Sequence, residues 1–210
     1  MADFKTPKNI DEAYAMAAAA KPALDKFGQA IADSIGCEFI PAPLKSRERA
    51  EQKLYKKYGG DMTKLEDIAR CRIICDTLEQ AEMVRNAVCK KMRPAREKDT
   101  LETPNDRGYR DLKLILPVNG VLVEMQVQLR DFAEVDKLTH IQYEKIRELT
   151  AAAKDRPLTE REQKEISIRE KLCRRTYRNA ALAYNARTTG KKLKMADDRT
   201  VALKKREIER

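Results

Sequence analysis

Between residues 121 and 130 the chain alternates: Val121, Val123, Met125, Val127 and Leu129 interleave with Leu122, Glu124, Gln126, Gln128 and Arg130. A period of two sends these sets to opposite faces of a strand. One face is core, and the other carries a carboxylate, two amides and a guanidinium in a row, which a buried surface tolerates only at a cost and a solvated one does not need. Upstream, Asp106–Pro117 reads as the partner strand, and Asn119-Gly120 is a strong signal for a two-residue hairpin turn. The segment 106–130 is thus predicted to be two strands and a tight turn with a polar face, the first candidate for a site.

The remaining elements follow from the same kind of reading. Residues 9–35 predict a helix capped by Asn9 or Asp11, kinked or broken near Pro22 and stopped at Gly36. Phe39–Pro43 is extended, because proline biases its predecessor away from helix. Ser46 is placed to cap a helix of about three turns, with Ala50, Leu54 and Tyr58 on one stripe and Arg49, Lys53 and Lys57 on another. Ala69–Cys75 alternates as a strand, with Ala69, Cys71, Ile73 and Cys75 on the apolar face and Arg70 and Arg72 opposite. A helix from Leu78 to Met92 has Ala81, Val84, Val88 and Met92 spaced for burial, and 94–99 is a short edge strand. Helices are predicted again from Phe132 to about Ala153 and, behind the capping box Thr159-x-x-Glu162, to about Arg187. Residues 188–210 read as a loosely attached helix or a solvated basic tail.

The resulting fold class is α/β (α+β), a mixed sheet of about five strands flanked by helices. The predicted organisation is an N-terminal helical segment over 1–36, a core over 37–153 and a C-terminal helix and tail over 154–210. Only 5% of residues are aromatic and none is Trp, so the core must be built from Leu, Ile, Val, Ala and Met. The net charge of +10, from 44 Lys and Arg against 34 Asp and Glu, favours polyanionic partners such as nucleotides or RNA. Five cysteines without a CxxC pair, together with a single His, argue against a zinc site or a disulfide framework. No stretch has the pattern of a signal peptide or a membrane span, so no membrane partner is expected.

The chemistry suggested by these residues is phosphate transfer. Asp67 enters one strand and Glu124 sits on another, and two such carboxylates can hold Mg²⁺ while sharing it with a substrate polyphosphate. Lys45 at the start of the basic helix, Arg49, Lys53, Arg70 and Arg72 can neutralise phosphates. Glycoside hydrolysis, the other use of paired carboxylates, does not call for so many cations. Neither GxxxxGK[ST] nor GxGxxG is present, which excludes a P-loop or Rossmann nucleotide site.

Four motifs in order, Lys45-Ser46 with Arg49 and Lys53, Asp67-Ile68-Ala69-Arg70-Cys71-Arg72-Ile73, Arg107-Gly108-Tyr109-Arg110-Asp111-Leu112 and Val123-Glu124-Met125-Gln126, resemble the RelA/SpoT-type alarmone synthetase domain. The likeness spans about Pro41 to Arg147. It is greatest to small single-domain synthetases and RelA/SpoT-like toxins, and Thr139-His140, Tyr143-Glu144 and Arg147 resemble the toxin type. The resemblance implies a nucleotidyltransferase-like synthetase fold and transfer of pyrophosphate from ATP to the 3′-hydroxyl of an acceptor nucleotide, with GTP, GDP, ADP, AMP or ATP as acceptors. It implies Mg²⁺ as cofactor, and an immunity protein or antitoxin as partner. The site of action would be the cytoplasm, and delivery would be that of a secreted effector without a visible signal peptide.

Position by position, the resemblance makes Asp67 and Glu124 catalytic and metal-binding. Lys45, Arg49, Lys53, Arg70 and Arg72 would contact ATP or phosphate, and Tyr109, Lys113 and Gln126 the acceptor. Four departures bear on this. Ala42-Pro43 stands where Gly-Arg is usual, so that one phosphate contact is either missing or supplied by another cation such as Arg47; Arg70 replaces a glycine; Lys113 occupies a common histidine position; and Arg107-Gly108 precedes Tyr109 in place of Asn-Gly. Two alternatives stay open, namely the same transfer to the 3′ end of tRNA and a non-catalytic RNA-binding or regulatory module.

Overall fold

The computed structural model of the protein describes residues 5–153 and 156–195. Its first helix, α1 (Ile10–Ile35), is capped by the Asn9 side chain, which accepts from the Glu12 N–H at 2.9 Å. It runs unbroken through Pro22 and ends at Gly36 with φ of 78°, the left-handed C-cap expected of a glycine. Its buried face is mostly small, with Ala13, Ala17, Ala20, Gly28 and Ala32 beside Leu24 and Ile31. A Cβ on Gly28 would lie 2.6 Å from the Phe39 ring and 3.3 Å from Cys71 Sγ, so the helix backbone rides directly on the sheet.

The chain continues as β1 (Glu38–Pro41), α2 (Arg47–Tyr58), a single 3₁₀ turn at Met62–Lys64 and β2 (Arg70–Cys75). Then come α3 (Leu78–Lys91), β3 (Arg96–Asp99), β4 (Leu112–Val118) and β5 (Val121–Leu129). Helices α4 (Arg130–Ala152) and α5 (Glu160–Arg187) close the described chain, α5 behind the complete Thr159–Glu162 capping box. The five strands form one mixed sheet in the order β1-β2-β5-β4-β3, as the α+β reading requires, with β3 at an edge. Strand β1 pairs antiparallel with β2, setting Phe39 opposite Ile73, and β4 pairs antiparallel with β5, setting Ile115 opposite Glu124 and Lys113 opposite Gln126. The β4–β5 turn has positive φ at both Asn119 (51°) and Gly120 (77°), the conformation that matches the twist of a two-residue hairpin.

Two compact units result. The first contains the chain up to Lys98 together with Asp111–Gln128, and the second contains Asp99–Arg110 and the described residues from Leu129 onward. In the first, Ile73, Leu114, Leu116, Met125 and Leu24 are fully buried, each side chain contributing about 1.5–3 kcal/mol relative to exposure. In the second, α4 packs on α5 around Phe132, Ile146 and Tyr184.

Four expectations need correction. The hairpin's first strand begins at Leu112, not near Asp106; residues 105–109 form a turn closed by Asn105, whose side chain accepts from the N–H groups of Arg107 (3.0 Å) and Tyr109 (3.1 Å). Ser46 occupies the N-cap of α2, but its hydroxyl makes no capping bond there. Gln128, expected on the polar face, is fully buried. Finally, 188–195 is docked rather than loose: Leu193 is buried, and Asn185 holds its backbone on both sides, at 2.7 Å and 3.0 Å. Residues 196–210 of the expected tail lie outside the described residues.

Candidate active site

The polar side chains of the first unit converge on the carboxylate of Asp67, which lies in the loop three residues ahead of β2 rather than on the strand itself. Lys45 precedes α2 and is fixed by its backbone: its N–H donates to the Ile68 carbonyl at 2.9 Å, and its own carbonyl accepts from the Tyr14 hydroxyl of α1 at 2.5 Å. From there its ammonium bonds Asp67 Oδ2. Lys53, two turns along α2, reaches the same oxygen at 2.7 Å and lies 5.4 Å from the Tyr58 ring centroid. Asp67 is only 8% exposed, and its other oxygen, Oδ1, is buried without a hydrogen-bond partner.

The electrostatics follow from this crowding. Burial pushes the Asp67 carboxyl up, but the two ammonium groups outweigh it and hold the group below the usual aspartate range. The lysines respond in opposite directions. At Lys45 burial dominates and lowers the ammonium, whereas at Lys53 burial is overcome by Asp67 and Tyr58, which raise it. Two amines therefore compete for a single carboxylate oxygen under opposite influences.

A second polar cluster lies on the same sheet. Arg72 Nε donates to Gln126 Oε1 at 3.2 Å, and Gln126 Nε2 donates to Asp111 Oδ2 at 2.7 Å. Asp111, almost fully buried, also takes Lys113 at 3.2 Å. Burial would lower the Lys113 ammonium, but Asp111 and Glu124 raise it. The Glu124 N–H donates to the carbonyl of Ala69 at 3.1 Å, which ties β5 to the residue just ahead of β2, two positions past Asp67. Half-buried Arg70 has its Nε enclosed without a partner. Arg49 is half-buried on α2.

The first unit therefore brings together Lys45, Lys53 and Asp67 by direct contact, and Arg72, Lys113 and Gln126 through Asp111. Arg47 does not join them, since it is exposed and paired with Asp11 at 2.5 Å and Glu51 at 2.9 Å. Tyr109 belongs to the second unit. There it meets Tyr177 edge-on, with ring centroids 5.7 Å apart, and Tyr177 is in turn anchored through its hydroxyl to Thr139 Oγ1 at 2.6 Å. His140 is exposed and 3.5 Å from Glu144, and Arg147 pairs with Glu144 at 2.9 Å.

Asp111, though it lies in one of the four motifs, was given no role by the sequence. Asp111 could have been found from its place two residues before Lys113 on the strand opposite Gln126. Gln128, which alternation places beside Gln126 on the polar candidate face, is instead fully buried, with its amide oxygen and nitrogen both lacking partners.

The arrangement matches a known family. Residues 43–148, just over half of the chain, match the family described as the region found in RelA / SpoT proteins. The chain belongs to the RelA/SpoT family. Lys45, Lys53, Asp67, Arg72, Asp111, Lys113 and Gln126 all fall inside the matched segment of this RelA/SpoT domain. A curated relative, the (p)ppApp synthetase toxin Tas1 of Pseudomonas aeruginosa (strain UCBPP-PA14), is 42% identical over 67 residues, which is 32% of this chain and 15% of the relative. The chain thus matches only a small part of that protein's length. Among solved structures, Tas1 in complex with its immunity protein aligns with a TM-score of 0.61 at 24% identity, over 84% of this chain and 97% of that one. The small alarmone synthetase 2 of Bacillus subtilis aligns with a TM-score of 0.63 at 20% identity, over 93% and 98%. These likenesses establish the fold. Among the described residues no helix is long and apolar enough to cross a membrane.

Proposed function

We propose that this RelA/SpoT domain is an ATP-dependent pyrophosphokinase that transfers a pyrophosphoryl group from ATP to the 3′-hydroxyl of an acceptor nucleotide, releasing AMP. The observation that carries the reading is the Asp67 cluster: a buried carboxylate with one oxygen saturated by two ammonium groups and the other orphaned. An orphaned buried oxygen suits a ligand that arrives with the substrate. Mg²⁺ fits, since it takes one or two carboxylates and fills its remaining positions with phosphate oxygens and water. Asp67 and Glu124 would hold it, and the ion would neutralise charge on the polyphosphate.

The chain's own residues supply the rest. Lys45 and Lys53 turn from Asp67 toward the phosphates of ATP, and Arg49, Arg70 and Arg72 add guanidinium donors suited to bidentate phosphate contacts. Glu124 accepts the proton of the acceptor 3′-hydroxyl as it attacks the β-phosphorus. Gln126, fixed between Arg72 and Asp111, orients Arg72, and Lys113 meets acceptor phosphate. Tyr109 offers its ring to the acceptor base.

The name of the relative Tas1 makes adenine nucleotides the first acceptors to try and an immunity protein the partner to seek. Incubation with γ-labelled ATP, Mg²⁺ and separately ADP, AMP, ATP, GDP, GTP or bulk tRNA, resolved by chromatography, tests the reading. Label moving into an acceptor is expected, and no transfer to any of them would overturn it.

A further inference from the structure

The second unit contains a cleft of about 260 Å³ that the transfer chemistry does not use. One wall is the 104–110 loop, the other is α5, and Arg110 forms part of the lining. Arg110 is 2% exposed, and its guanidinium donates to the carbonyls of Leu101 (2.5 Å), Glu102 (2.6 Å) and Lys194. It also faces the Phe132 ring at 5.9 Å. Among the described residues no carboxylate pairs with it. A buried cation matched only by carbonyl dipoles and an aromatic face leaves net positive charge beneath the cleft, and burial draws the group down to about 10.

The α5 wall adds to this charge. Lys171, Arg174, Arg175 and Arg178 all line the cleft, and their i, i+3, i+4, i+7 spacing puts them on one face of the helix across two turns. Arg174 is partly neutralised by Glu170 at 3.7 Å, an acid shared with Arg107 at 3.6 Å. Lys171 and Arg175 are exposed and have no acidic partner among the described residues. Asp106 is the one acid in the lining. Lys171 and Arg175, exposed one turn apart above the buried positive charge of Arg110, call for an anion with more than one negative group. The row extends about 10 Å along the helix, beyond the reach of a single phosphate. Its only aromatic lining residue, Tyr177, is buried with its hydroxyl engaged by Thr139, so a base finds no exposed ring to stack on.

We propose that this cleft binds a single-stranded nucleic acid through its phosphodiester backbone, without reading bases. Phosphate contacts of this kind position a strand and carry no sequence information, and each adds to the salt dependence of binding. Binding is read without ATP, so the proposal stands or falls separately from the transferase reading.

The test is fluorescence anisotropy of the whole chain with labelled mixed-sequence single-stranded RNA and DNA oligonucleotides of roughly 20 nucleotides, between about 50 and 200 mM KCl. The double variant Lys171→Ala/Arg175→Ala is compared with a control pair of exposed lysines on α3, Lys90→Ala/Lys91→Ala. Each lost contact should make the log–log salt slope shallower by about 0.7, so the cleft variant should lose about 1.4 and bind roughly ten-fold more weakly at the lower salt. The control should keep the wild-type slope, and RNA and DNA should respond alike. Equal loss in the control pair would overturn the proposal and assign binding to net charge alone. An unchanged slope in the cleft variant would also overturn it, as would full displacement of the oligonucleotide by equimolar inorganic triphosphate.

Discussion

Asp67→Asn is the most informative single change, because it removes the charge that two lysines share while keeping the side chain's shape. Breaking a buried pair by removing one partner costs about 3–5 kcal/mol when the charge left behind is fully enclosed. Lys45 and Lys53 retain 15% and 25% of their side-chain exposure, so water recovers part of that loss, and about 2 kcal/mol is the working figure. For a chain of this size that lowers the melting temperature by roughly 4–8 °C. The sign with pH is fixed by the depressed Asp67 carboxyl. Its contribution is present above the ordinary aspartate value and is lost as pH falls through the lower folded value. The gap between wild type and variant should therefore be full at neutral pH and close in acid below about pH 4. Adding ATP without Mg²⁺ should restore more stability to Asp67→Asn than to wild type, since its lysines have no competing carboxylate. Differential scanning fluorimetry with and without nucleotide measures all three. A variant melting within about a degree of wild type at pH 7, with no larger response to ATP, would refute the view that Asp67 holds the lysines in reserve for phosphate.

Glu124→Gln should abolish label transfer while leaving thermal stability within about 0.5 kcal/mol of wild type, and near-normal turnover would remove Glu124 from its proposed role as base. Tyr109→Ala should raise KM for the acceptor more than KM for ATP in steady-state assays; an unchanged acceptor KM would argue against the ring as a base platform. Gln128→Leu replaces a fully buried amide whose two polar atoms lack partners, so it should be neutral or stabilising by about 1 kcal/mol in chemical denaturation. A loss above about 1 kcal/mol would show that the amide is satisfied in solution, by water or a ligand.

Much of this architecture was legible because local signals and tertiary packing agree. Strict alternation at 121–129 located β5, Asn119-Gly120 located its turn, and Thr159 with Glu162 located the start of α5. Asp67, Lys45 and Lys53 were legible as chemistry because charged groups beside apolar strands need partners. What stayed hidden depends on contacts distant in sequence. Asn105 closes its turn by bonding two backbone N–H groups, a pattern that cannot be told from an ordinary polar loop until the chain bends. Gln128 shares its alternation with Gln126, yet one is half-buried and bonded while the other is enclosed and unpartnered. Arg110 sits in a motif of functional residues and turns out to staple three carbonyls.

The seating of α1 has a consequence for how this domain can change over time. Gly28 permits no Cβ against Phe39 and Cys71, and Cys71 alternates along β2 with Arg70 and Arg72, whose side chains face the other way. The sheet thereby separates two regimes of tolerance. On the α1 side even one added methyl must move an aromatic ring, so that surface is frozen by volume. On the opposite side the demand is for charge and reach, which several residue types meet. Charged groups there can be gained or replaced, as Arg70 at a glycine position and Lys113 at a histidine position of the related sequences illustrate, without disturbing the packed face.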